Sequence, residues 1–375
     1  MNPTDTRDSM ATYVAEGEQA ALQLGNRGPI QFNDDGTLDQ GILDAFLHHG
    51  FYILEGALSE GELEDIQAEL ESVFERAPFE KNATVDAKGR PAIGSDLARP
   101  TFRFTKPLSD PNGGTDNSNG RYEVKMSEPK APADAPDYVI SNISSHLQIM
   151  DSALRLYGHP LLLSIAEQIN GPDFTPFTES IIVKPSELGP SVAWHQDGTQ
   201  RWDLPDWDQG THGFNFMAQV YGCTAANGVW VIPGSQKRGK INIKELKATN
   251  GGSDRLPGAV PLVCEPGDVV MANRQILHAS FANTSPDKRM TINFGFHRRA
   301  SVLGVRTSKD VVYDEERIHE RSRLIALAID ARQQRYPHEA RYVYQPLVGQ
   351  EEENRWNEGT RVSILKDYNL RDLGI

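Results

Sequence analysis

Cysteine is almost missing from this chain, with only Cys223 and Cys264 among 375 residues. Two thiols cannot make a disulfide framework or a Cys-rich zinc site, so both are expected to be buried apolar fillers. Long apolar runs are missing too. The longest, such as Pro160–Ile165, fall far short of the ~20 residues that cross a bilayer, and no transmembrane helix is expected. An excess of positive charge is also lacking: 38 Lys and Arg stand against 52 Asp and Glu, a net charge of −14. The basic footprint of a nucleic-acid-binding protein is therefore not there. The first residues, Met1-Asn2-Pro3-Thr4-Asp5, have neither the basic start nor the apolar run of a secretory signal, and the last are not a peroxisomal address. A cytoplasmic location is the resulting expectation.

Material for a core is plentiful. Hydrophobic residues make up 38%, with 14 Phe, 11 Tyr and 5 Trp, which excludes global disorder. At ~150 residues per domain the length allows two, but one large β core with helical additions fits as well. Residues 1–37 are polar with little periodicity and read as a loosely attached arm. Phe51-Tyr52-Ile53-Leu54 is β-like, and a helix start follows: Ser59 as N-cap, Glu62 as capping-box partner, and Leu58 placed to staple onto Leu63. Apolar Leu63, Ile66, Leu70, Val73 and Phe74 then recur at helical spacing to about Arg76. Residues 109–138, with Asn112-Gly113-Gly114 and Asn119-Gly120, predict a long loop. A second helix is expected from Pro160 to the Gly171-Pro172 stop.

From Phe174 to about Arg298 short β-runs alternate with turns: Ser180–Val183, Asn215–Tyr221, Val229–Ile232, Val269–Ala272 and Arg289–Phe296. This texture predicts a barrel or sandwich of antiparallel strands. Helix returns over 314–335, and the charged tail 351–375 is expected to wrap the body or meet a second subunit.

In Trp194-His195-Gln196-Asp197 an imidazole and a carboxylate stand at i and i+2, on one face of an extended strand. Alone this means little, since a chance H-x-D is expected on the order of 0.7 times in such a chain. His278 lies in the same β-rich block and offers a third ligand. Two His and one carboxylate on one face of Fe(II) leave three positions open for a bidentate cosubstrate and O₂. Arg289 follows across the turn-like loop 283–288 and is expected on a strand next to that of His278. In its strand Arg289, Thr291 and Asn293 alternate with Met290, Ile292, Phe294 and Phe296, which points the polar face into the barrel. A guanidinium there needs an anionic partner, and a dicarboxylate would supply one through a bidentate pair.

These residues resemble the phytanoyl-CoA dioxygenase (PhyH) family of Fe(II)/2-oxoglutarate oxygenases. The resemblance rests on Trp-His-Gln-Asp at 194–197, Asn-Gly-Val-Trp-Val-Ile-Pro-Gly-Ser at 227–235, Pro-Gly-Asp-Val-Val at 266–270, His278-Ala279-Ser280, Asn283-Thr284-Ser285 and Arg289. It spans roughly residues 40–300. It implies a mainly β chain with flanking helices and a double-stranded β-helix (jelly-roll, cupin-like) core over 38–306, followed by a C-terminal helix and tail, 307–375. It further implies that His195, Asp197 and His278 bind iron, that Arg289 and Ser280 hold the distal carboxylate of 2-oxoglutarate, and that Gln196 and Gln219 line the cosubstrate site. O₂ is the co-oxidant, and hydroxylation of a small organic molecule with release of succinate and CO₂ is the default outcome. Desaturation, epimerisation or ring closure use the same oxidant. Asp197 itself disfavours halogenation, whose enzymes carry a small residue there.

Departures from the family pattern fall on Gln236, where Pro-Gly-Ser is often followed by His, and on the insert 198–213. Within that insert Trp202 is a candidate substrate clamp, against the alternative of a buried indole pinning a solvated loop. Tyr122 and Lys125 in the long loop are candidates to close over the site, against a plain surface role. The rival readings are a zinc hydrolase, since the same three ligands can hold Zn²⁺ with a water, and a non-catalytic ligand-binding barrel. Arg289 favours the oxygenase, because a hydrolase has no general need of a buried guanidinium there. A homodimer through helix 314–335 is a further expectation.

Overall fold

The computed structural model describes residues 3–117, 120–197, 211–306, 310–366 and 368. Among the described residues, twelve strands form two sheets. In chain order they are β1 (Arg27–Gly28), β2 (Phe51–Leu54), β3 (Phe102–Thr105), β4 (Val139–Ile143), β5 (Thr175–Lys184), β6 (Val192–His195), β7 (Gly213–Gln219), β8 (Trp230–Val231), β9 (Val260–Pro261), β10 (Val269–Asn273), β11 (His278–Ser280) and β12 (Arg289–His297). The larger sheet runs β1-β2-β10-β7-β12-β5-β4-β3 and the smaller one β6-β11-β8-β9. Both are open, and they face each other across a cavity. The architecture is thus mainly β with flanking helices and a double-stranded β-helix core, and all five β-runs expected after Phe174 are strands.

The larger sheet is two-faced because its strands alternate. On β12, Met290, Ile292, Phe294 and Phe296 are buried in the main core with Phe214 and Phe216 of β7, while Arg289, Thr291 and Asn293 line the cavity. Helices cover the apolar face. Glu60–Glu75 starts with the expected capping box between Ser59 and Glu62, and Pro160–Asn170 stops at Gly171. Helix Glu315–Arg335 buries Leu324, Ile325, Leu327, Ala328 and Ile329 in the same core. The tail joins it, with Leu365 and Tyr368 buried there as well. Among the described residues no helix is long and apolar enough to cross a membrane.

The N-terminal segment departs from the sequence expectation. It is a helix, α1 (Pro3–Gln23), which lies on the smaller sheet instead of hanging loose. The Tyr13 ring stacks on Trp230 at 4.6 Å between centroids with an 11° tilt, and its hydroxyl donates to the Leu256 carbonyl at 2.9 Å. A Cβ at Gly17 would stand 2.6 Å from the Trp230 indole, so only glycine permits this approach. Beyond the helix, β1 pairs in parallel with β2, and Arg27 Nε donates to Glu55 at 2.5 Å. The segment's few apolar side chains match one distant partner, which local periodicity does not register. Tyr13→Ala should lower unfolding stability by about 2 kcal/mol, through lost burial plus ring stacking. A shifted denaturation midpoint at unchanged slope would show it.

Among its described residues the loop 109–138 holds neither helix nor strand, as expected, yet it is tied down. The Asp110 carboxylate accepts from the backbone N–H of Gly113 at 3.0 Å and of Met126 at 2.8 Å. This stapling carries Arg121 and Tyr122 to the cavity.

Candidate active site

β6 and β11 pair antiparallel with His278 opposite His195, which sets the two imidazoles side by side with ring centroids 4.0 Å apart. Asp197 follows β6, fixed by its backbone N–H, which donates to the Arg274 carbonyl at 2.8 Å. One ligand atom from each of His195, Asp197 and His278 lies within 4.8 Å of the others. His195 Nδ1 is 2.8 Å from the Ala193 carbonyl and His278 Nδ1 is 2.9 Å from that of Ile276. A carbonyl can only accept, so Nδ1 carries the proton and each Nε2 keeps its lone pair for a metal. Neutral imidazoles suit that role, and burial, reinforced by His278, pushes the His195 pKa well below its ordinary value. For Asp197, burial opposes ionisation, but Arg121 and the two imidazoles outweigh it and hold the carboxyl below the usual carboxylate range. Two neutral nitrogens and one anionic oxygen on one face fit Fe(II).

The cavity above these residues measures about 530 Å³, a size ordinary for small-molecule sites. Arg289 lies at one end, 2% exposed. Its Nη1 donates to the Asn227 carbonyl at 2.9 Å and to Ser280 Oγ at 3.3 Å. Its buried Nε has no hydrogen-bond partner among the described residues. Directly across the β12–β5 pairing stands Lys184, 1% exposed, whose ammonium donates to the Phe281 carbonyl. Burial and the neighbouring Arg289 push the Lys184 pKa well down. Lys184 and Arg289 side by side, the latter with an unused N–H, make a cradle that fits the distal carboxylate of 2-oxoglutarate.

Four expectations are corrected. His278 and Arg289 are not on neighbouring strands: β11 belongs to the smaller sheet and β12 to the larger, so the loop between them crosses from one sheet to the other. Gln196 does not line the cavity. As the residue between two inward ligands it points outward, where its amide donates to the Gln275 and Gly239 carbonyls at 2.7 and 3.1 Å and accepts from the Ile241 N–H at 2.9 Å. Gln219 stays just outside, accepting from Thr291 Oγ1 at 2.9 Å, and Thr291 is the residue that faces the cavity. Lys125 is exposed and pairs with Glu128 at 3.1 Å, outside the cavity lining that Arg121 and Tyr122 join.

Of the other expected residues, Ser280 and Tyr122 line the cavity. Ser280 lines the cavity beside Arg289, its hydroxyl donating to the Gly228 carbonyl at 2.8 Å. Tyr122 reaches the metal ligands, with its ring 4.5 Å from that of His195. Trp202, with the rest of 198–210, lies outside the described residues.

Several cavity residues had no sequence motif to announce them. Arg121 forms an ion pair with Asp197, and Asn215 Nδ2 donates to the other carboxylate oxygen at 3.4 Å. Arg274 places its guanidinium 3.7 Å from the centre of the Phe177 ring and hydrogen-bonds His297. The parity of β5 was the one available signal for Lys184, since Ser180, Ile182 and Lys184 share the inward face of that strand.

Among the solved structures similar in fold is EctD from S. alaskensis, in a form holding 2-oxoglutarate and 5-hydroxyectoine, with 19% identity, a TM-score of 0.49, and coverage of 74% of this chain and 83% of that one. The 2-oxoglutarate-dependent carbocyclase SnoK and epimerase SnoN, both from nogalamycin biosynthesis, show 16% and 15% identity with TM-scores of 0.47 and 0.43. They match over 72% and 67% of this chain and 87% and 80% of theirs. No curated protein matches the chain. The family model for phytanoyl-CoA dioxygenase (PhyH) matches residues 46–291, a stretch that contains every residue of the His-Asp-His cluster and ends within β12, just past Arg289. The chain belongs to the phytanoyl-CoA dioxygenase family of Fe(II)/2-oxoglutarate-dependent oxygenases.

Proposed function

We propose that this enzyme hydroxylates an unactivated C–H bond of a small organic molecule, with 2-oxoglutarate decarboxylated to succinate and CO₂. The observation that carries the reading is the pair of imidazoles whose Nδ1 protons are given to backbone carbonyls, leaving both Nε2 atoms turned toward the Asp197 carboxylate. His195, Asp197 and His278 hold the iron. Arg289, with Lys184 and Ser280 beside it, anchors the distal carboxylate of 2-oxoglutarate, and that anchoring orients the keto acid toward the metal ligands. Iron and 2-oxoglutarate, when bound, supply the oxidant that takes a hydrogen atom from the substrate.

The protein's own work is positioning. Tyr122 packs against His195 and narrows the approach to the metal ligands. Asn215 and Arg121 orient the Asp197 carboxylate. The depressed His195 and Asp197 pKa values favour the metal-binding protonation states of those two side chains.

Anaerobic titration of the metal-free protein with Fe(II) and then 2-oxoglutarate should produce the weak visible charge-transfer band of the chelate. The band should be lost in His278→Ala. A folded, metal-loaded protein without that band would turn the reading toward a zinc hydrolase or a non-catalytic barrel. Desaturation, epimerisation and ring closure draw on the same residues, and mass analysis of the product separates them: a gain of one oxygen marks hydroxylation.

A further inference from the structure

The chain's two cysteines are distant in sequence and partners in the fold. Both are buried, and they stand opposite each other in an isolated antiparallel bridge, where the turn after β7 meets the chain passing from β9 to β10. The Cys223 N–H donates to the Cys264 carbonyl at 2.9 Å, and the Cys264 N–H donates back at 3.0 Å. Residues that exchange both hydrogen bonds have Cα atoms about 5.5 Å apart, inside the roughly 4.4–6.8 Å window of a disulfide. Their side chains leave the ladder on the same side. The Cys223 thiol donates to the Leu262 carbonyl at 2.9 Å, and the Cys264 thiol donates to the Cys223 sulfur.

That last hydrogen bond, aided against burial by the Arg289 guanidinium, holds the Cys223 thiol below its ordinary pKa. The same bond, together with burial, pushes Cys264 up. Cys223 is thus the nucleophile of the pair, and Cys264 is the partner that closes the bond.

The surroundings give such a bond something to control. Cys223 Sγ lies against Gly228, where a Cβ would stand 3.6 Å from it. Between the two, the Thr224 N–H donates to Asn227 Oδ1 at 2.9 Å and the Gly228 N–H donates to the Thr224 carbonyl at 2.7 Å, so 223–228 is one hydrogen-bonded turn. Its last two carbonyls hold the cosubstrate cradle: that of Asn227 accepts from Arg289, and that of Gly228 from Ser280. Opposed residues of a ladder keep their Cβ atoms about 4.5–5.5 Å apart, whereas a disulfide needs roughly 3.8 Å. Closing the bond draws Cys223 toward Cys264 by about 1 Å, and the turn moves with it.

We propose that hydrogen peroxide converts Cys223 and Cys264 to a reversible disulfide, and that this bond loosens 2-oxoglutarate by shifting the carbonyls that position Arg289 and Ser280. The Cys223 sulfur attacks one peroxide oxygen, the O–O bond breaks, and the departing hydroxide combines with the thiol's proton as water. The Cys264 sulfur then attacks the resulting sulfenic acid, the S–S bond forms as the S–O bond breaks, and a second water leaves with the Cys264 proton. Two thiols give up two electrons, and peroxide accepts them. The disulfide is independent of the oxygenase reading, whereas its effect on the cosubstrate rests on that reading.

The test uses the full chain, stripped of metal because Fe(II) itself consumes peroxide. After hydrogen peroxide and then catalase, a portion is unfolded and alkylated. Its intact mass should be lower by two hydrogen atoms with no alkyl group added, and dithiothreitol should restore both alkylation sites. The remainder is loaded anaerobically with Fe(II) and titrated with 2-oxoglutarate through the chelate band. The dissociation constant should rise about tenfold, the worth of one displaced hydrogen bond. It should return after reduction and removal of dithiothreitol, and stay level in Cys223→Ala with or without peroxide. Two alkylated thiols after peroxide, or added oxygen without a crosslink, overturn the disulfide. A crosslinked protein whose 2-oxoglutarate affinity is unchanged overturns the coupling. A reduced protein that gives no chelate band sinks the oxygenase reading and the coupling with it, while the mass still decides the bond.

Discussion

Asp197→Ala should bring succinate release down to background, a loss well beyond the roughly 10- to 100-fold that follows from removing a mere hydrogen-bonding partner of a metal ligand. Asp197 is the one anionic member of the cluster, and no described acid in the cavity lining is there to replace it. Two neutral imidazoles on adjacent strands then remain, a poorer site for a hard divalent ion. The substitution also removes the carboxylate that Arg121 and Asn215 address, which leaves a partly buried guanidinium to repel any incoming cation. Metal content by elemental analysis and succinate by mass spectrometry measure the two parts of the effect, with circular dichroism to establish that the protein is folded. Succinate release at the level of the unchanged enzyme would end the assignment of this cluster as the iron site.

For Arg289→Ala the expected result is a rise in the 2-oxoglutarate KM of about 100-fold with a much smaller change in kcat. Truncating one member of a buried, hydrogen-bonded charge pair costs about 2–5 kcal/mol, and 2.7 kcal/mol is a factor of 100. The loss falls on ground-state binding because the distal carboxylate takes no part in bond breaking. Arg289→Lys keeps the charge but not the fork, and its KM belongs between the two. Lys184 alone cannot compensate, since its ammonium is held by the Phe281 carbonyl. A 2-oxoglutarate KM that does not move in Arg289→Ala would place the cosubstrate elsewhere in the cavity.

How much of this was legible before folding depends on the range over which each signal acts. The alternation on β12 is local, and it correctly separated the cavity-facing Arg289, Thr291 and Asn293 from the core-facing Met290, Ile292 and Phe294. The same parity rule, applied to Trp194-His195-Gln196-Asp197, already turns Gln196 away from its neighbours. The family resemblance placed it inside, and the strand geometry overrules that. The change of sheet between β11 and β12 was not legible, because a loop composition that suits a hairpin equally suits a crossover. Nor was α1: its anchoring depends on Tyr13 and Gly17 meeting Trp230, a pairing over some two hundred residues. Arg121 and Arg274 come from a stapled loop and a turn, with no periodic pattern to mark them.

The placement of the two histidines on one sheet and of Arg289 on the other has a thermodynamic side. His195 and His278 are paired strands of the smaller sheet, and Arg289 belongs to the larger. Metal held by His195 and His278 would therefore reward a geometry local to one sheet, whereas a cosubstrate bound as proposed, at the metal and at Arg289, would be a tether between the two. Its binding energy opposes their separation and so adds to the cooperativity of unfolding itself, in proportion to the logarithm of its concentration. A cosubstrate held in the proposed way would double as a reversible crosslink of the fold that consumes it.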